Sequence, residues 1–90
     1  MHYVYLLECG DGTIYAGYTT DVSRRVSEHQ NGNGAKYTRS RGPLTLRRVE
    51  RFSSRSAAQS REYEVKQLSR QEKLVLLPKH GDRVRIGGSV

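Results

Sequence analysis

The chain has one cysteine, which excludes an intramolecular disulfide. With no Cys pair or Cys/His ligand spacing there is no zinc motif either. A reducing, cytoplasmic setting is expected. Cys9, at the end of a strand-like run with no base paired to it by motif, reads as a small core hydrophobe rather than a nucleophile. No stretch approaches the ~20 apolar residues of a membrane span. Met1 is followed at once by a β-prone segment rather than a charged and apolar leader. A soluble protein without a membrane partner is expected. Internal repeats and long low-complexity tracts are also missing. Finally, residues 1–23 contain no Lys or Arg and hold three acids, Glu8, Asp11 and Asp21.

The rest of the chain therefore carries all 16 basic residues, and the net charge is +7 with a pI of about 10.0. One-sided clustering of this kind suits a surface that tracks phosphates, which points to nucleic acid as the partner. Ninety residues allow one domain with a modest core.

Periodicity predicts a hairpin, His2 to Cys9 and Thr13 to Tyr18, closed by Gly10-Asp11-Gly12. Asp21 is placed to cap a helix with Val22 and Val26 on its apolar face, ending near Asn31-Gly32-Asn33-Gly34. Residues 35–43 form a basic loop, and Leu44 to Phe52 returns as a strand whose imperfect alternation suggests a bulge. Two capping boxes follow. Ser56-Ala57-Ala58-Gln59 opens one helix and Ser69-Arg70-Gln71-Glu72 opens a shorter one that ends before Pro78. The expected domain is 1–77, with 78–90 a mobile tail.

Glu62 stands out on this scaffold. In the helix from Ser56 to Leu68 it shares the inward face with Ala58, Val65 and Leu68. A carboxylate there is costly without a partner or a metal. A structural ion pair with an arginine such as Arg25 and a functional site are both open readings. Glu64, the rival acid, points away from Ala58 and Val65. Tyr5 and Tyr15 can share a face across the hairpin, and Arg25 and His29, four apart, project from one side of the first helix. A phosphodiesterase needs a metal carboxylate, a cation for phosphate charge and a group that handles water. Glu62, Arg25 and Tyr15 supply those types. Lys36, Arg39 and Arg41, around Tyr37, are candidates for nucleic-acid binding, by phosphate contact or by stacking on an unpaired base.

Tyr3-Val4-Tyr5, Tyr15-Ala16-Gly17 beginning ten residues after Tyr5, Arg25 eight after Gly17 and His29 four after Arg25 together resemble the GIY-YIG nuclease superfamily. The stretch Ala58 to Lys73 resembles its small stand-alone bacterial branch of uncharacterised proteins. The likeness covers residues 2 to 77.

The resemblance implies an α+β fold, a small three-stranded antiparallel sheet flanked by helices, with a phosphodiesterase site on one face. It implies that Glu62 binds one ion, Mg²⁺ or Mn²⁺, that Arg25 binds the scissile phosphate, that Tyr5 and Tyr15 position or activate water, and that His29 lies near the nucleophile. Mg²⁺ suits a lone carboxylate because it keeps several waters. The sequence departs from the family pattern at Tyr3 and Ala16. Tyr18 stands where excision-repair relatives carry a lysine, which leaves the water-activating group open. The expected activity is a metal-dependent endonuclease for branched or damaged DNA, with a role in repair or recombination and specificity from DNA shape or a protein partner. The alternative is a non-catalytic nucleic-acid-binding or adaptor module of the same fold.

Overall fold

A computed structural model describes residues 1–34, 38 and 41–77; the expected tail, 78–90, lies outside them. Strands β1 (His2–Glu8) and β2 (Ile14–Thr19) precede helix α1 (Val22–Gln30). Strand β3 (Thr45–Phe52) and helices α2 (Arg55–Lys66) and α3 (Arg70–Val75) follow. The strands pair antiparallel in the order β2-β1-β3. The fold is α+β.

β1 is the central strand, and its residues Val4 to Leu7 are all buried because both faces of the sheet are covered. The two-residue strand period divides them. Val4 and Leu6 pack with Ile14, Ala16, Ala58 and Val65 under α2, with Leu74, Leu76 and Leu77 closing the edge of that cluster. Tyr5 and Leu7 pack with Val22, Val26 and Leu46 under α1. The expected bulge lies in β3. Leu6 opposes Arg48 while Leu7 opposes Leu46, so Arg47 is the extra residue. Its guanidinium pairs with Glu8 at the end of the neighbouring strand.

Asp21 caps α1, accepting from the Arg24 N–H at 3.1 Å, and Asn31 ends it. The Ser69–Glu72 capping box opens α3 as expected, with both reciprocal bonds present. The cap of α2 differs from expectation. Ser54, not Ser56, accepts from the Ala57 N–H, at 3.1 Å. An N-cap needs extended dihedrals, and Ser54 has them (φ −132°, ψ 150°), whereas Ser56 lies inside the helix.

α2 is also fixed from its side. Arg61 donates to both oxygens of Glu50 on β3, at 2.7 and 3.1 Å, and Arg48 donates to the same carboxylate at 2.7 Å. The Arg61 bonds lead in holding Glu50 below its ordinary pKa. This clamp fixes the rotation of the helix turn that carries Glu62.

Candidate active site

Tyr5 faces Gly17 directly across the β1–β2 ladder. A Cβ on Gly17 would lie 2.4 Å from Cζ and Oη of Tyr5, so only glycine lets the phenol lie across the edge strand. The ring is 1% exposed. Its hydroxyl is 2.8 Å from His29 Nε2, and His29 Nδ1 is 2.7 Å from the Thr38 hydroxyl oxygen. His29, four residues along α1 from Arg25, is 2% exposed and Thr38 1%. Gly34 allows the close approach on the imidazole's other flank, since a Cβ there would come within 2.3 Å of Nδ1.

Tyr15 completes an aromatic triangle. Its ring centroid lies 5.3 Å from that of His29 and 6.4 Å from that of Tyr5, and Tyr5 and His29 are 5.7 Å apart. The two tyrosines thus share one face, as the hairpin spacing predicts.

The charges around this triangle set its protonation. Burial, then Tyr15, pushes Tyr5 up to about 12; the Glu62 carboxylate adds to the rise and the Arg25 guanidinium opposes it. Arg25 and Glu62 stand on helices that cover opposite faces of the sheet. Burial and the Arg25 charge hold His29 below its ordinary value, so the imidazole is neutral at pH 7.

Arg25 is partly exposed and pairs at 3.0 Å with Glu28, an exchangeable i,i+3 contact. It lines a cleft of about 450 Å³ with Tyr18, Thr19, Thr20, Arg24, Glu28 and Arg55. Arg55 also stacks over Tyr18, 5.8 Å from its ring centroid.

Glu62 is half-buried, its side chain 22% exposed, and pairs at 2.9 Å with Lys66 one turn on. The structural alternative, an ion pair with Arg25, is not made. Glu64 is 64% exposed and engaged by Arg61, so Glu62 is the acid turned toward the sheet. No cluster of three or more His, Cys, Asp or Glu side chains exists among the described residues. A metal would therefore have one protein carboxylate and otherwise water and phosphate oxygens, a donor set that fits a hard cation such as Mg²⁺.

Of the three residues expected to bind nucleic acid, Lys36 and Arg39 lie outside the described residues. Arg41 sits at the opposite end of the hairpin from the Arg25 cleft, paired with Asp11. There the two Thr13 bonds, then Arg41, pull Asp11 down to about 2. Arg24 and Arg55, which the sequence reading passed over, share the cleft with Arg25 instead. Thr38 was also missed, because the charges along 35–43 hid one threonine that the fold buries. Its only sequence signal was a short hydroxyl residue between two aromatic or basic ones.

Comparison with known proteins shows the family. A family model described as the GIY-YIG catalytic domain matches residues 1–74. A UPF0213 protein of Halobacterium salinarum is 63% identical over 76 residues, covering 84% of this chain and 99% of its own length. The solution structure of a UPF0213 protein from Bacillus halodurans superposes with a TM-score of 0.55 at 57% identity, over 83% of this chain and 80% of that one. A second solution structure, of an E. faecalis protein, gives 0.54 at 39% identity, over 91% and 94%.

Proposed function

Because the chain belongs to the GIY-YIG catalytic domain family, we propose that it is a metal-dependent endonuclease that hydrolyses phosphodiester bonds in DNA. The observation that carries this reading is the cluster of Tyr5, Tyr15 and His29, with the Tyr5 hydroxyl 2.8 Å from His29 Nε2 and Arg25 one helical turn before His29 at an open cleft.

Each residue has a definite part. Arg25 exchanges its exposed Glu28 partner for a non-bridging phosphate oxygen and stabilises the charge that develops there. Tyr5 and Tyr15 hold the attacking water in line with the scissile bond. Glu62 is the residue that would hold the divalent ion, Mg²⁺ or Mn²⁺, with Lys66 its exchangeable partner beforehand. When bound, the ion supplies Lewis-acid stabilisation to the phosphate. Arg24 and Arg55, lining the same cleft, hold flanking phosphates. A cleft made by one small domain reads backbone and shape, which favours branched or damaged DNA as the substrate, in repair or recombination.

The test is a nicking assay across duplex, single-stranded, flap and junction DNA with Mg²⁺ or Mn²⁺. Cleavage of a branched substrate that stops on chelation is expected. Cleavage that persists in excess EDTA would retire the metal reading, and no cleavage of any substrate would leave a DNA-binding module.

A further inference from the structure

Arg55 borders two hollows at once. It lines the cleft of Arg25, and it also begins a second, open hollow of about 650 Å³ along the outer side of α2, with Ser56, Gln59, Ser60 and Tyr63. Through this shared residue the cleft runs on along the helix. Arg55, Gln59 and Tyr63 recur every four residues and so stand in one line on its surface. At a rise of about 1.5 Å per residue, Tyr63 lies roughly 12 Å beyond Arg55.

The chemistry of this line is one-sided. No acid borders the second hollow, and the two carboxylates of α2, Glu62 and Glu64, are engaged by Lys66 and Arg61. Arg41, Arg47, Arg48 and Arg61 are each held by a carboxylate. Arg55 has none among the described residues; its guanidinium rests over the Tyr18 ring, which His2 holds by a 2.8 Å hydrogen bond and a parallel stack. Stacking orients a guanidinium and leaves its N–H groups for a phosphate.

Tyr63 ends the line. It is 69% exposed, and among the described residues its side chain has no hydrogen-bond or ring partner. A protein partner covering that ring would meet serine, glutamine and arginine around it rather than an apolar rim. A nucleobase suits the setting better, because its faces stack on a ring and its edges and phosphate are polar. Bases in a duplex are already stacked, so the ring gains only from an unpaired one.

We infer that the outer side of α2 is a subsite for an unpaired DNA strand: Arg55 takes the phosphate leading out of the Arg25 cleft, and Tyr63 stacks on a base further along. The inference rests on the nucleic-acid reading of that cleft and adds the part of the substrate the cleft does not reach. The span of roughly 12 Å holds about three to four nucleotides at the rise of a stacked strand, and fewer when the strand is drawn out. Ser56, Gln59 and Ser60 offer hydroxyl and amide groups to sugar and phosphate along the way, which positions a strand without reading its sequence. Among branched substrates, those with a single-stranded arm are then preferred over fully paired junctions.

Fluorescence anisotropy in metal-free buffer, on a blunt DNA duplex and on the same duplex with a single-stranded overhang, tests the subsite with the parent, Tyr63→Ala and Tyr63→Phe. The parent should bind the overhang duplex more tightly. Tyr63→Ala should weaken that binding by about 10-fold, the worth of one base stack, and change the blunt duplex by no more than about twofold. Tyr63→Phe keeps the ring and should bind as the parent does. A fluorescent adenine analogue in the overhang should be quenched by the parent and by Tyr63→Phe, but not by Tyr63→Ala. A parent without preference for the overhang, equal losses on both duplexes, or overhang binding untouched by Tyr63→Ala overturns the subsite. Tighter binding of the same overhang made of RNA overturns the assignment to DNA. Nicking in Mg²⁺ separates this inference from the reading beneath it. A parent that nicks but shows no Tyr63 effect loses only the subsite; one that shows the effect and never nicks keeps the subsite and loses the nuclease reading. A parent that binds neither duplex loses both.

Discussion

The two faces of the sheet use the same strands in opposite ways. Under α2, Val4, Leu6, Ile14 and Ala16 meet Ala58 and Val65, and the cluster is aliphatic throughout. Under α1, Tyr5 sits among Leu7, Val22, Val26 and Leu46, and its hydroxyl leads to His29 and Thr38. The first face gains stability chiefly from buried area, with the Arg61–Glu50 clamp at its side. The second gives up some of that area for a chain of hydrogen bonds, which is tolerable only while every member keeps its partner. The aliphatic face thus anchors the sheet and lets the polar face hold a buried chain of hydrogen bonds.

Glu62→Gln tests that division hardest, because Glu62 belongs to the helix of the aliphatic face yet is the proposed metal carboxylate. Nicking should fall by about 10³-fold, or ~4 kcal/mol of transition-state stabilisation. The melting temperature should hardly move, since the partly exposed Lys66 pair is worth only ~0.5 kcal/mol. A large stability loss with unchanged nicking would assign Glu62 to the scaffold.

Leu6→Ala and Gly17→Ala form the next contrast. Leu6 is fully buried, so its truncation should cost ~2–5 kcal/mol in denaturant melts and leave the rate per folded molecule unchanged. Gly17→Ala should cost ~1–3 kcal/mol by overpacking, yet abolish nicking, because the new methyl displaces the Tyr5 ring. Equal effects on rate would erase the distinction between the faces.

The pH dependence of stability should come from the polar face. The folded-state pKa of His29 is depressed, so its contribution is present above the unfolded value of about 6.5 and is lost as pH falls through the folded value. Tyr5 has the opposite sign: raised to about 12, it contributes fully below about 10 and loses that contribution as pH rises through 12. Melting temperature against pH should therefore drop at both ends, and Leu6→Ala should lower the curve without changing its shape.

The smallest expected effects concern surface arginines. Arg55→Ala should reduce the salt slope of DNA binding by about 0.9, one lost phosphate contact. Arg41→Ala should change it less, because its guanidinium already pairs with Asp11 away from the cleft. Fluorescence anisotropy over a salt series measures both; the reverse ranking would move the DNA to the hairpin turn.

Much of this was legible along the chain. The Asp21 cap, the Ser69–Glu72 box and the bulge of β3 are local patterns that the structure repeats. The α2 cap was misread by two residues, since Ser54 and Ser56 are both serines and only the backbone dihedrals separate them. The site was legible as a spacing: Tyr5, Tyr15, Arg25 and His29 recur at intervals that strand and helix geometry turn into proximity. Thr38 and Arg55 were not, because neither carries a local pattern.

By itself the sequence determined the elements, their order, the shared face of the two tyrosines and the inward turn of Glu62, because each follows from a period of two or 3.6 residues. Only the tertiary structure decided that the Tyr5 phenol is buried against a histidine 24 residues away and that Thr38 is hydrogen-bonded to that histidine. Those are long-range contacts between side chains, set by how helices close over a sheet, and no periodicity along the chain encodes which partner a buried polar group will find.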